Sequence, residues 1–293
     1  MSIQIQKIGI IGVGTMGTGI AQIAIQSGHD VVLFDAKAGA AEQAQEKLVK
    51  TLNTLADKGK FSHEKAAEDL AHLSIAQQIE DLKDCDLIVE AIIENLEIKQ
   101  KLMQQLEGIV KPEAILASNT SSLSISAIAA NCNQPERIAG YHFFNPVPLM
   151  KVVEVIEGFN TRADIVQALT QLSTKMGHRP VKAKDTPGFI INHAGRAFGS
   201  EAYAILNENV TPFYEIDRIY RDGIGFKMGP FELGDLTGMD VSHPVSESIY
   251  HQYYEEARYR PSVITRQRFI AKQLGRKTGK GFYDYTSGSK VGD

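Results

Sequence analysis

The chain has 293 residues, 43% of them hydrophobic and 23% charged, an ordinary balance for a globular protein of one or two domains and unlike that of a disordered or fibrous chain. A net charge of -4 gives no reason to expect nucleic acid or an anionic membrane as partner, and no apolar run approaches the ~20 residues of a membrane helix. Two cysteines, Cys85 and Cys132, cannot build a disulfide framework; they point to reduced thiols and a cytoplasmic location, and the first strand begins too early to leave room for a signal peptide.

Ile8, Ile10 and Ile11 form a short apolar run that predicts a buried strand. Gly12-Val13-Gly14-Thr15-Met16-Gly17 follows, a G-x-G-x-x-G. A helical pattern with Ile20, Ala21, Ala24 and Ile25 on one face runs to Gly28. Val31 to Phe34 forms a second strand, closed by Asp35. Strand, glycine turn, helix, strand and acid make up the dinucleotide-binding unit. Gly12 permits the tight turn, Gly14 lets backbone approach a pyrophosphate, and Gly17 lets the helix pack close. Thr15 and Met16 open that helix, whose N-terminal amides favour phosphate. Asp35 lies 18 residues after Gly17, placed to accept hydrogen bonds from an adenosine ribose and to repel a 2′-phosphate. This favours NAD over NADP, although nearby Lys37 works against the preference.

Residues 40–57 and about 62–70 read as a helical hairpin inserted before the next strand, with Lys50, Lys58 and Lys60 crowding one end. That basic tip is either a solvated surface or a contact for a phosphorylated substrate handle. Asp86 to Ala91 predicts a strand, about 95–110 a helix opened by Glu94 and Lys99, and 114–117 a strand leading into Ser118-Asn119-Thr120-Ser121-Ser122. Such a polar cluster sits where open parallel sheets bind ligands, or it merely caps the next helix. Strands are expected at 137–142 and 151–156, a helix at 161–176 and a last strand at 179–184. From Asp185-Thr186-Pro187-Gly188 onward only helices and turns are expected, near 189–206, 214–221, 230–254 and 262–273. The predicted class is α/β, a doubly wound Rossmann-type sheet over 1–185 containing the hairpin (about 40–71), then an all-helical domain over 186–286 and a polar tail at 287–293.

Hydride removal from an alcohol needs a base for the hydroxyl proton and donors for the oxygen. His142 and Glu154, twelve residues apart across a strand break, fit as base and orienting carboxylate. A buried histidine bonded to an acid can equally be structural. No Cys/His/Asp spacing suggests a metal, and neither G-x-S-x-G nor a P-loop occurs.

Longer motifs carry a resemblance: GVGTMGTGIA at Gly12, VEAIIENLEIK at Val89, ASNTSSLSI at Ala117, GYHFFNPVPLMKVVEVI at Gly140, KDTPGFIIN at Lys184, MGPFEL at Met228 and GRKTGKGFYDY at Gly275. Together they resemble the L-3-hydroxyacyl-CoA dehydrogenases of fatty-acid β-oxidation type, including 3-hydroxybutyryl-CoA dehydrogenases. The resemblance implies oxidation of an acyl-CoA substrate with NAD. It implies His142 as base with Glu154 behind it, Ser121 and Asn192 on the substrate oxygen, and Asn145 beside the histidine and nicotinamide. Asp35, Glu94, Lys99 and Ser121 would serve NAD, Lys58 or Lys60 the CoA phosphates, and a homodimer would form through the helical domain.

Two features depart from the common pattern. Asn192 is followed by His193, where the family usually has Arg, and His193 is expected to pack rather than bind. The segment AGRAFGSEAYAILNE resembles longer enzymes of phenylacetate-type degradation, which continue into a second helical domain; on that likeness the chain is comparable to part of a longer enzyme, and 3-hydroxyadipyl-CoA becomes a candidate substrate. That substrate needs a cation for its distal carboxylate, which the sequence does not single out. Phe189, Phe198 and Phe231 are expected in the pocket wall or the core. Two other readings share these features: a dehydrogenase of a free hydroxy acid, such as a sugar acid or carnitine, and a crystallin-like NAD binder without turnover.

Overall fold

Eight short runs rich in Ile, Val and Leu pair edge to edge in a computed structural model that describes residues 3–286; the expected tail at 287–293 lies outside the described residues. The strands are β1 (Lys7–Ile11), β2 (Asp30–Phe34), β3 (Leu73–Ile75), β4 (Leu87–Glu90), β5 (Ile115–Ser118), β6 (Ile138–Phe143), β7 (Val152–Glu157) and β8 (Arg179–Lys184). Their spatial order is β3-β2-β1-β4-β5-β6-β7-β8. Every pairing is parallel except β6 with β7. The order in which strands are added reverses between β1 and β4, which opens the crevice where doubly wound sheets take ligands.

Helices α1 (Thr15–Gln26), α2 (Ala40–Asp57), α3 (His63–Ala71), α4 (Leu96–Glu107), α5 (Ile125–Ala129) and α6 (Ala163–Lys175) cover the two faces. Covering both faces explains why the central strands are apolar throughout rather than alternating. Val89 packs in the layer with Ile20, Leu48 and Leu169, whereas its neighbour Ile88 packs in the layer with Met103, Leu106 and Ile128. In the hairpin, Ala44, Leu48 and Leu52 bury one stripe of α2, and the Ser62 side chain caps α3 by accepting from Lys65 N.

The strand-rich unit ends at Phe189, and a helical unit begins at Ile190. Gly188 (φ 78°) and Phe189 (φ 51°) lie in the left-handed region, so α7 (Ile191–Asn207) starts later than the apolar pattern predicts. It is followed by α8 (Phe213–Asp222), α9 (Pro230–Thr237), α10 (Met239–Gln252) and α11 (Val263–Ile270). The stretch expected as one or two helices over 230–254 is two, because Gly238 (φ 95°, ψ 138°) breaks it. No helix among the described residues is long and apolar enough to cross a membrane.

Two buried aspartates organise the helical unit. Asp217 on α8 accepts from Phe231 N, Glu232 N and Tyr283 Oη. Asp235 on α9 accepts from Phe282 N and Tyr283 N, each at 2.9 Å, and from Tyr285 Oη at 3.1 Å. The C-terminal segment 275–285, which forms a clasp, is thereby tied to α9 through one carboxylate. Burial pushes both carboxyl groups above their usual range, against the pull of those donors. Phe231, fully buried against Tyr203, Phe213 and Phe282, belongs to this core; it is not part of a pocket wall. Asp235→Ala leaves two buried amides without an acceptor, so urea unfolding of the variant is expected to show a loss of at least about 3 kcal/mol. A loss below about 1 kcal/mol would show that the clasp is held mainly by its aromatic rings.

Candidate active site

The glycine turn lies at the C-terminal end of β1, as the motif requires. Gly12 has φ 87°, and a Cβ there would meet Ala91 O at 2.7 Å. A Cβ on Gly17 would come within 1.9 Å of Gly12 O, so the helix could not pack at this distance with any larger residue. Gly14, by contrast, faces open space. It occupies the N-cap of α1, no side chain caps that end, and Thr15 is exposed beside the half-buried Met16. The first amides of α1 are thus available to an anion. Asp35 closes β2 next to this turn. Its Oδ2 accepts from Val13 N at 3.0 Å and its Oδ1 from Lys37 N at 2.9 Å. An open glycine, an uncapped helix end and an adjacent carboxylate fit a dinucleotide.

A buried charge network adjoins the turn. Glu90, the last residue of β4, is fully buried. Its Oε1 accepts from Lys99 Nζ at 2.5 Å and from Ile92 N at 2.7 Å, and its Oε2 accepts from Ser118 Oγ at 2.7 Å. Lys99 is itself 1% exposed and also lies 3.4 Å from Glu94 Oε2. The lysine therefore sits inside the protein between two carboxylates. Glu94, partly open to solvent, uses Oε1 to accept from Thr120 Oγ1 (2.6 Å), Ser122 Oγ (3.0 Å) and Ser121 N (3.1 Å). One chain of contacts thus runs from the core of the sheet to the backbone of Ser121.

The hydroxyl cluster divides its work. Thr120 Oγ1 accepts from Ser122 N and Leu123 N, and Ser124 caps α5. Asp185 reinforces that cap by accepting from Ser124 Oγ, Ile125 N and Ser126 N. Ser121 is held at its amide by Glu94 and does not cap α5.

His142 and Glu154 are direct cross-strand partners in the antiparallel β6–β7 pair. Nδ1 lies 2.7 Å from Glu154 Oε2, and both residues are buried. A carboxylate accepts, so Nδ1 carries the hydrogen, and the neutral form of the ring presents its lone pair at Nε2. Nε2 makes no hydrogen bond among the described residues. The ring packs against Phe144 (centroids 4.7 Å) and Phe189 (6.0 Å). A neutral imidazole, oriented by a carboxylate and walled by aromatic rings, can take a proton.

Asn119 Oδ1 accepts from Phe143 N, joining the polar turn to the histidine strand. Asn145 is exposed in the loop after β6, with no hydrogen bond to either His142 or Glu154. Lys58 and Lys60 are exposed at the hairpin tip, and no ion pair holds them among the described residues. Asn192 lies in the first turn of α7. Its neighbour His193 packs in its own unit between Tyr253 and Tyr259, with Nδ1 2.9 Å from Tyr253 Oη and Nε2 2.8 Å from Tyr259 Oη. Phe198 is exposed. Burial pushes the thiols of Cys85 and Cys132 up to about 11, so neither is a thiolate at neutral pH. Sequence reasoning placed Ser118 and Asn119 in the polar cluster but gave no role to Glu90 or Asp185. An acid ending the apolar run LIVE was the available signal for Glu90.

The doubly wound sheet with this glycine turn and acid–base pair defines a nicotinamide-dependent dehydrogenase type. The family description "3-hydroxyacyl-CoA dehydrogenase, NAD binding domain" matches residues 7–186, and "3-hydroxyacyl-CoA dehydrogenase, C-terminal domain" matches 188–285. The chain belongs to the 3-hydroxyacyl-CoA dehydrogenase family. It is 43% identical over 285 residues to a 3-hydroxyadipyl-CoA dehydrogenase of Escherichia coli, covering 97% of this chain but only 60% of that relative's length. It is 42% identical over 280 residues to a probable 3-hydroxybutyryl-CoA dehydrogenase of Deinococcus radiodurans, covering 95% of this chain and 100% of the relative. The solved (S)-3-hydroxybutyryl-CoA dehydrogenase of Ralstonia eutropha superposes with a TM-score of 0.93 at 37% identity, over 97% of this chain and 100% of that one.

Removing Lys99 strands the Glu90 charge in the core. Lys99→Met is expected to cost about 3–5 kcal/mol in urea unfolding. It should also weaken NADH binding, read by fluorescence titration, by loosening Glu94 and the Ser121 turn. A variant as stable as the parent would show that the pair contributes no net stability.

Proposed function

We propose that the protein oxidises L-3-hydroxyacyl-CoA to 3-oxoacyl-CoA, with His142 as the general base. The observation that carries this reading is the His142–Glu154 pair, 2.7 Å apart and buried, with Nε2 left to a substrate. His142 Nε2 takes the hydroxyl proton as the carbon–oxygen bond gains double-bond character. Glu154 holds the ring in the required tautomer and stabilises the imidazolium that forms. Ser121 and Asn192 hold the substrate oxygen; the amide anchor of Ser121 to Glu94 supports its part. NAD, when bound, supplies the hydride acceptor. Gly12, Gly14, Thr15, Met16 and Gly17 cradle its pyrophosphate, Asp35 meets the ribose, and Glu94, Ser121 and Asn145 face the nicotinamide end. Lys99 contributes by positioning Glu94. Lys58 and Lys60 meet the CoA phosphates, a role supported by their exposure and freedom from ion pairs.

Substrates of the 3-hydroxybutyryl and 3-hydroxyadipyl classes are both supported by the names of the relatives. We place the enzyme in the cytoplasm as a homodimer formed through its helical unit. Exposed Ile219, Ile224 and Phe226 on that unit support the dimer, and two free cysteines support a reducing compartment.

His142→Gln is expected to lower turnover by ~100-fold or more while NADH affinity barely changes. The assay is NADH oxidation with acetoacetyl-CoA, set against free acetoacetate. Near-normal turnover in the variant would remove His142 from the mechanism. Faster turnover of the free acid would identify a dehydrogenase of free hydroxy acids instead.

A further inference from the structure

Strand β6 outruns one of its two neighbours. Its parallel pairing with β5 ends at Ser118 and Gly140, whereas its antiparallel pairing with β7 runs on to Phe143 and Val153. Tyr141, His142 and Phe143 therefore extend past the end of β5. A strand end that loses a neighbour leaves backbone amides unanswered on that side, and Phe143 is a buried residue whose amide needs an acceptor. Asn119, the first residue after β5, supplies one: its Oδ1 accepts from Phe143 N at 2.9 Å. A side-chain carboxamide thus takes the place that the backbone of a longer β5 would occupy.

Asn119 is itself firmly held. Its amide donates to Glu90 O at 2.8 Å, which carries the contact with β4 one residue beyond β5. Its neighbours Ser118 and Thr120 are buried; Ser118 Oγ donates to Glu90 Oε2 and accepts from Thr120 N at 3.2 Å. A backbone amide only donates, so the atom of Asn119 that faces Phe143 N is the carboxamide oxygen. Nδ2 then makes no hydrogen bond among the described residues. Two restraints consequently meet at the base. Glu154 holds the His142 ring from the β7 side, and Asn119 holds the backbone directly after His142 from the β5 side. The same amide precedes Phe144, whose ring packs on the imidazole.

We propose that Asn119 is a positioning residue for the acid–base pair, acting through the Phe143 amide to keep the His142 imidazole in line with Glu154. The proposal rests on the function above, in which His142 is the base. Asn119 makes no contact with the reacting atoms. A shift of about 1 Å in the ring weakens both its bond to Glu154 and its line to the hydroxyl proton, and misplacements of that size cost on the order of 100-fold in rate.

The test removes or keeps the acceptor. Asn119→Ala deletes it. Asn119→Asp leaves an oxygen for the Phe143 amide and loses only Nδ2. Turnover of acetoacetyl-CoA with NADH is measured at the pH optimum of each variant. The ring tautomer of His142 is read separately, from the imidazole nitrogen shifts of ligand-free protein labelled at its histidines, with the His142 signals assigned by their loss in His142→Gln. Asn119→Ala is expected to lower kcat about tenfold or more with KM within about threefold of the parent, and to show both ring tautomers. Asn119→Asp is expected to keep the parent's tautomer and a kcat within about threefold of the parent's. A purely structural asparagine would lower the melting temperature in Asn119→Ala and leave the tautomer and kcat of the folded protein alone. An unchanged tautomer or an unchanged kcat in Asn119→Ala overturns the proposal. So does an Asn119→Asp as slow as Asn119→Ala with a raised KM, which assigns Nδ2 to a ligand. If Asn119→Ala does not fold, Asn119→Ser, whose hydroxyl is too short to reach Phe143 N, is judged by the same two readouts. Near-normal turnover in His142→Gln refutes the function on which the proposal rests, whereas an inactive His142→Gln beside a parent-like Asn119→Ala refutes the role of Asn119 alone.

Discussion

A carboxylate buried at the end of the central strand β4 has to be answered by a positive charge, and Lys99 answers it. The pair is enclosed on all sides, so neither partner can be relieved by water, and each additional hydrogen bond to Glu90 reduces the cost of burial. Because Lys99 also lies near Glu94, the same charge that neutralises the core fixes an acid at the rim of the crevice. That acid in turn organises three consecutive residues of the polar turn after β5. The position of Ser121 is thus set by a chain of charged and polar contacts that begins in the sheet interior. Such a network rigidifies when every member is satisfied.

The second constraint is the reversal of direction at β7. In a wholly parallel sheet the strand after β6 would arrive by a long crossover and end at the same edge as its predecessors. Here a short loop turns the chain back, and the antiparallel register sets Glu154 directly opposite His142. Cross-strand partners lie close enough for side chains to interact. The histidine consequently acquires a fixed tautomer from backbone pairing, with no dedicated loop.

In the helical unit the polar interior is built on two aspartates whose acceptors are filled by backbone amides and tyrosine hydroxyls of neighbouring segments. Those contacts close the clasp around α9. Arg196 is held differently, by the neutral oxygens of Ser242 and Ser246 on α10.

Much of the fold was legible in the sequence, because the relevant rules are local. A positive φ at Gly12, apolar runs on strands buried on both faces, the helical stripe of Ala44, Leu48 and Leu52, and a terminating acid at Asp35 are each set by a few neighbouring residues. The dinucleotide motif and the candidate base and acid followed from the same local patterns. Only the tertiary structure decided what depends on residues distant in the chain. It decided that Lys99 turns inward to Glu90, that Phe231 belongs to the core, that Gly238 divides a predicted helix, and that His193 packs between two tyrosines. Spacing of twelve residues is compatible with many arrangements of His142 and Glu154; register selects one. Whether a charge has a partner is a property of three-dimensional neighbours, and for that reason the burial of Glu90 against Lys99 could not be read before its surroundings were known.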